Sequence, residues 1–205
     1  VWASSSAFTS AVSPEASAYV KGHPIASWPT RVWDRLLPAS AYLYDDKAPG
    51  EPAADAVFPH SLEPPIRTSR TTVNYVDLWD KTPYVDAYLA DFAGTLTEKL
   101  QLGRRDATDM LAISFSGLDF VGHVYGPRSH EVQDTLARVD QVIGTLIGTL
   151  DRQVGRDRYV LALSADHGVA EVPEQSAGVG GRFTLASVGT PIERAVIAQR
   201  STHFC

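Results

Sequence analysis

The sequence predicts an α/β fold, with a central, mostly parallel sheet and helices on both faces. Three observations carry that prediction. Two short apolar runs, MLAISF (110–115) and YVLALS (159–164), have the length and bounds of buried strands. A long stretch of helical periodicity separates them. A second helical pattern precedes the first run, so residues 84–164 read helix, strand, helix, strand, the alternation of a parallel or mixed sheet.

The elements are justified in order. Residues 1–30 are rich in Ser, Ala and Pro with aromatics spaced through them, which predicts short strand and turn segments. RVWDRLLP (31–38) predicts a short helix stopped by Pro38. Residues 45–70 are dense in proline and scattered charge, predicting an irregular surface excursion. Thr82-Pro83 is a helix start, with Thr as N-cap and Pro as first helical residue. The helix it opens carries apolar residues at 85, 88, 89, 92, 96 and 100, and Gly103 stops it. Pro127-Arg128-Ser129 opens the next helix. Val132, Leu136, Val139, Ile143, Leu146, Ile147 and Leu150 form its apolar stripe. Asp and Glu in its first turns and Arg152 in its last suit the helix dipole, and Gly155 ends it. As a right-handed crossover, this helix would bring the ends of both strands to one rim. SAGVGGRF after Pro173 reads as a flexible loop, and TPIERAVIAQRS (190–201) could begin a further helix.

Composition bounds the function. The chain has 205 residues, 44% hydrophobic and 20% charged, ordinary for a globular fold of one domain or one domain with an insertion. A net charge of −6 with no basic run argues against a nucleic-acid duplex as partner. It leaves a phosphate substrate open, because a bound cation can supply local positive charge. One cysteine, Cys205, excludes an intrachain disulfide. No apolar run reaches the ~20 residues of a membrane-spanning helix. The chain opens on Val1, shows no signal peptide, and closes abruptly on Cys205, which predicts a segment of a longer protein.

The chemistry concentrates just past the two apolar runs. Asp119 and His123 follow the first, Asp166 and His167 the second. In such sheets ligands bind beyond the carboxyl ends of the strands. Carboxylate oxygen and imidazole nitrogen suit zinc and similar divalent ions. A lone Asp-x-x-x-His or Asp-His is usually a surface pair or loop cap; two such pairs, each past a strand and each beside a glycine, are a stronger signal. Other candidates are weaker. His130 at a helix start predicts a solvent-exposed side chain, His60 in Phe-Pro-His a structural role, and His23 a turn. Ser116 lacks the first glycine of a nucleophile elbow, with no helix expected directly behind it. Gly178–Gly181 is too short for a dinucleotide loop.

SFSGLDFVGHVYGPRSHEVQD followed by LSADHG resembles the alkaline phosphatase superfamily. Within it the match is to the type I phosphodiesterase/nucleotide pyrophosphatase group, especially its bacterial alkaline phosphatase branch. Weaker similarity covers much of residues 8–175, including FTSAV, VWDRLLP, FPH and TPY. The resemblance implies an alkaline phosphatase-like fold that is incomplete here, with residues 1–205 forming part of one domain. It implies two zinc ions: Asp119 and His123 on one, Asp166 and His167 on the other. It also implies a Thr or Ser nucleophile upstream of this segment and a third histidine downstream, so that the segment alone is expected to be inactive. The expected function is hydrolysis of phosphate monoesters on a phosphorylated small molecule, in the periplasm or outside the cell. The alternatives are a phosphodiesterase/nucleotide pyrophosphatase of the same group or a truncated, non-catalytic metal-binding fragment. A phosphoglycerate mutase or sulfatase fits the motif less well.

Overall fold

A computed structural model describes residues 12–53, 55–63, 74–176, 178 and 180–200. The first described element is a helix, α1 (Pro14–Gly22), where strand and turn segments were expected. The local reason is legible afterwards. The Ser13 side chain accepts from the Ala16 N–H at 3.0 Å, Pro14 sits in the first turn, and Glu15 meets the positive end of the dipole. Tyr19 of α1 is buried and its hydroxyl donates to Asp91 at 2.6 Å. Trp2 and Phe8 lie outside the described residues.

Residues 31–38 also differ from expectation. Val32–Trp33 form strand β1, not a helix, paired antiparallel with β2 (His60–Ser61), Trp33 opposite His60. The pairing draws part of the proline-dense excursion inward. Ala56, Phe58, His60 and Leu62 are buried, so the stretch 56–62 is anchored in the core, while 45–53 stays irregular and mostly exposed as expected. Residues 64–70 of the excursion lie outside the described residues.

Helix α2 (Tyr75–Trp79) opens on an Asn74–Asp77 capping box. Helix α3 (Tyr84–Lys99) is the one announced by Thr82-Pro83, one residue late: Pro83 is the cap, and Thr82 Oγ1 still accepts from the Tyr84 N–H at 3.3 Å. Its most buried positions are Asp86, Ala93, Gly94 and Thr97, small or polar residues, so it packs close to its partner. That partner is α5 (His130–Gln153), which opens after Pro127-Arg128-Ser129 as expected, with Ser129 as its cap. Between them in sequence lies α4 (Gly117–Tyr125), a helix that starts directly behind Ser116, contrary to expectation. Helix α6 (Leu185–Arg200) begins earlier than predicted and carries Pro191 within it.

The predicted α5 stripe holds at Val132 and Leu146, both buried, but its first turns also bury polar residues that the stripe did not include. Glu131, Asp134 and Thr135 are buried, while Leu136 faces solvent. The polar residues turn inward because the core offers them partners. Asp134 accepts from Trp33 Nε1 (2.7 Å), the Tyr42 hydroxyl (2.6 Å), the Leu36 N–H (2.6 Å) and Arg138 Nε (2.6 Å). A buried carboxylate is tolerable only with such a set of donors. The apolar core beside it joins Trp33, Phe58, Val121, Tyr125 and Val132.

The two apolar runs are neither helical nor paired into strands, and among the described residues the only sheet is β1–β2. Met110 is 90% exposed, Val160 96% and Leu163 78%. A buried parallel strand needs hydrogen-bonding neighbours on its edges and layers on both faces. The described residues supply neither to these runs.

Candidate metal centre

Helix α4 carries the first predicted pair. Asp119 and His123 stand four residues apart, so they share one face, and His123 Nε2 lies 3.4 Å from Asp119 Oδ2. The helix is fixed at both ends. At its start, Asp86 of α3 accepts from the Gly117 N–H at 3.1 Å. A Cβ at residue 117 would lie 2.6 Å from Asp86 Oδ2, so only glycine allows this approach. Burial pushes the Asp86 carboxyl up to about 6, against the lowering effect of the Gly117 and Ser116 N–H groups. At the helix end, Tyr125 is buried and its hydroxyl donates to Asp55 at 3.2 Å.

The second pair sits on a bend after the second apolar run. His167 Nε2 lies 3.5 Å from Asp166 Oδ2 and 3.7 Å from Asp119 Oδ1, so the structure brings His167 to α4. Nδ1 of His167 lies 2.9 Å from the Gly168 carbonyl. A carbonyl only accepts, so Nδ1 carries the proton and Nε2 keeps its lone pair toward the carboxylates. That carbonyl, then the Asp166 and Asp119 charges, raise the His167 pKa.

A cleft of about 310 Å³ is lined by Asp119, His123 and His167, with Gly122, Val169 and Arg182 among its walls. Asp166 is not part of that lining, and its side chain is 89% exposed. Among the described residues no three His, Cys, Asp or Glu side chains close on one point as a metal-ligand set. The donor chemistry nonetheless fits a divalent ion of zinc's preference: imidazole Nε2 atoms and carboxylate oxygens, linked through Asp119, with one histidine held in the ligating tautomer.

The loop holding His167 is seated by an apolar and a charged contact. Val172 packs between Gly50 and Gly126, both at positive φ (92° and 86°). A Cβ at Gly50 would lie 2.5 Å from Val172 Cγ1, and one at Gly126 would lie 2.3 Å from Val172 Cγ2. Arg128 pairs with Glu171 of the same loop.

Among the remaining candidates, His130 is corrected. It is buried, 3.2 Å from Asp46 Oδ1 and in contact with Arg35 and the Tyr44 carbonyl, because α5 packs its first turn against residues 35–46. Ser116 Oγ lies 3.3 Å from Ser114 Oγ. Sequence reasoning missed Asp86 and Tyr125, which hold α4 without touching the predicted ligands. The signal for Asp86 was its place on a helix face that small residues otherwise occupy.

No described helix is long and apolar enough to cross a membrane. Comparison with known proteins gives consistent findings. The model of the Type I phosphodiesterase / nucleotide pyrophosphatase family matches residues 8–187. Alkaline phosphatase PhoV of Synechococcus elongatus is 32% identical over 162 residues, covering 75% of this chain and 28% of the relative. A protein of Myroides odoratus named calcium-transporting ATPase is 34% identical over 152 residues, 69% of this chain and 26% of the relative. The chain thus spans roughly a quarter of the length of these curated relatives. The crystal structure of alkaline phosphatase PafA superposes with a TM-score of 0.75 at 23% identity, over 97% of this chain and 38% of that one, so the fold is the α/β alkaline phosphatase fold. With the family match running through both candidate pairs, the chain belongs to the type I phosphodiesterase/nucleotide pyrophosphatase family, a family named for enzymes that hydrolyse phosphoester and pyrophosphate bonds.

Proposed function

We propose that the protein containing these residues is a two-zinc phosphohydrolase acting on phosphate monoesters of small molecules. The observation that carries the reading is the Asp119–His123–His167 arrangement on one cleft, with Asp166 beside His167. Asp119 and His123 would hold one ion; Asp166 and His167 would hold the other. Bound there, the ions would supply positive charge for an in-line phosphoryl transfer and lower the pKa of an attacking hydroxyl. The attacking Thr or Ser hydroxyl and the remaining ligands come from parts of the protein other than these 205 residues. What this segment does is positional. Helix α4 presents Asp119 and His123 from one face, the Gly168 carbonyl keeps the His167 Nε2 lone pair available, and Val172 seats the His167 loop against the end of α4. The monoester preference is supported by the name of the relative, alkaline phosphatase PhoV. We assign the protein to the periplasm or cell exterior, on the family resemblance alone.

The test is bound metal and monoester hydrolysis in the full-length protein. Asp119→Ala and His167→Ala each lower zinc content and reduce kcat/KM by about a thousandfold, the several kcal/mol a catalytic metal supplies. Retained zinc and retained turnover in both variants would sink the assignment.

A further inference from the structure

Beneath the metal-ligand helix lies a second charged cluster that no step above uses. His60 of β2 is 1% exposed, and both its ring nitrogens are engaged by carboxylates. Nδ1 lies 2.9 Å from Asp55 Oδ1 and Nε2 lies 2.8 Å from Glu131 Oε1. Glu131 stands in the first turn of α5 with no solvent exposure. Tyr125, the last residue of α4, donates its hydroxyl to the other oxygen of Asp55 and lays its ring 5.2 Å from the imidazole. Trp33 and Phe58 pack on the same ring at 5.2 and 4.6 Å. A hydrogen-bonded path thus runs from α5 through β2 to the residue two positions after His123.

We propose that Asp55, His60 and Glu131 form a positioning array that, through Tyr125, fixes the end of α4 and thereby the placement of Asp119 and His123 toward metal; this rests on the metal-site reading above. Stability alone is a poor reason for this cluster. Well-packed apolar residues commonly do as well as a buried ion pair, whereas two hydrogen bonds at opposite ends of a rigid ring fix a position. Packing tolerates small slides along a helix axis; the bond from Tyr125 to Asp55, a half-exposed carboxylate held in turn by His60, adds a directional restraint. The other end of α4 is tied by Asp86, so Tyr125 completes a two-point attachment across a helix of nine residues. Both attachments lie on neighbours of α4 and leave the ligands themselves free to bind.

The test uses the full-length protein and four variants: Tyr125→Phe, His60→Gln, Glu131→Gln and Asp119→Ala. Zinc affinity is measured by competition with a chelator, and the Co2+-loaded absorption spectrum reports ligand geometry. The expected result is about 10-fold weaker zinc affinity in Tyr125→Phe, the low end of the range for groups bonded directly to metal ligands, with an altered Co2+ spectrum. His60→Gln and Glu131→Gln are expected to follow it. Tyr125→Phe keeps the ring and the core packing, so it decides the matter even if the other two fail to fold. Unchanged affinity and spectrum in a folded Tyr125→Phe, with affinity lost in Asp119→Ala, would overturn the positioning role and leave the metal site standing. Unchanged affinity in Asp119→Ala would overturn the metal site and the array together.

Discussion

The two halves of the candidate site are built differently. Asp119 and His123 ride on α4, a helix tied at one end to Asp86, at the other to Asp55, and buried against α5. Asp166 and His167 sit on a bend at the end of an apolar run whose side chains face solvent. The first half is held through a packed helix, the second through the loop that follows it, by Val172 and the Arg128–Glu171 pair. The comparison teaches that a ligand pair is only as well placed as the element behind it: hydrogen-bonded carboxylates fix a whole helix in the first half, while loop contacts from Val172, Glu171 and Gln175 seat the second.

The comparison can be broken first on its rigid side. Asp134→Ala leaves Trp33 Nε1, the Tyr42 hydroxyl and Arg138 without their acceptor in the core under α4. Thermal or urea unfolding should show a loss of roughly 3–5 kcal/mol, as for a buried charge deprived of its partner. A loss below about 1 kcal/mol would mean that this network does not stabilise the α4–α5 half.

On the other side, Gly126→Ala strains a residue at φ 86° and pushes a methyl into Val172. The expected cost is about 1–3 kcal/mol in unfolding experiments. Val172→Ala in the same chain should recover the steric part and leave the backbone part.

The charge state of His60 gives a finer probe. Burial opposes its protonation, but the hydrogen bonds and charges of Asp55 and Glu131 outweigh burial and push its pKa to about 9. A folded-state pKa above the unfolded value means that the contribution is full below about pH 6.5 and lost as pH rises through about 9. Stability measured between pH 6.5 and 9.5 should fall by on the order of 2 kcal/mol, and His60→Gln should flatten that fall. Asp86 is also raised, to about 6, so its contribution is full below about pH 4 and lost as pH rises through about 6, and the two windows separate. A flat profile above pH 6.5 in the unaltered chain would exclude a buried imidazolium.

The smallest effect is expected on the apolar runs. Val160→Thr, at a 96% exposed position, should change the stability of this chain by no more than about 0.5 kcal/mol. A larger loss would show that Val160 is packed after all.

Much of this architecture was legible in the sequence. The spans of α3 and α5 followed from periodicity and from Thr82-Pro83 and Ser129, because capping and spacing are local properties. The two candidate pairs stood out because they lie beside glycines at the ends of apolar runs; the structure brings Asp119, His123 and His167 to one cleft and leaves Asp166 off its lining. What escaped was non-local. Glu131 and Asp134 read as dipole-compensating surface acids, since nothing in the sequence says that His60, Trp33 and Tyr42 wait for them far away in the chain. The short strand at Val32–Trp33 and the burial of the Phe-Pro-His segment depend on each other, so neither could be read alone. Helix α4 was hidden because a nine-residue apolar segment after a strand-like run reads as the end of that strand.

The seat of Val172 has a consequence for how this family member can change over time. Its two γ-methyl groups occupy the space where side chains at Gly50 and Gly126 would begin. Three positions far apart in sequence therefore share one small volume. None can gain an atom unless another gives one up, and the two glycines cannot gain one freely in any case, because both sit at positive φ. Variation at 50, 126 and 172 is coupled through a space no larger than a few methyl groups, and that space sets how near the His167 loop comes to α4.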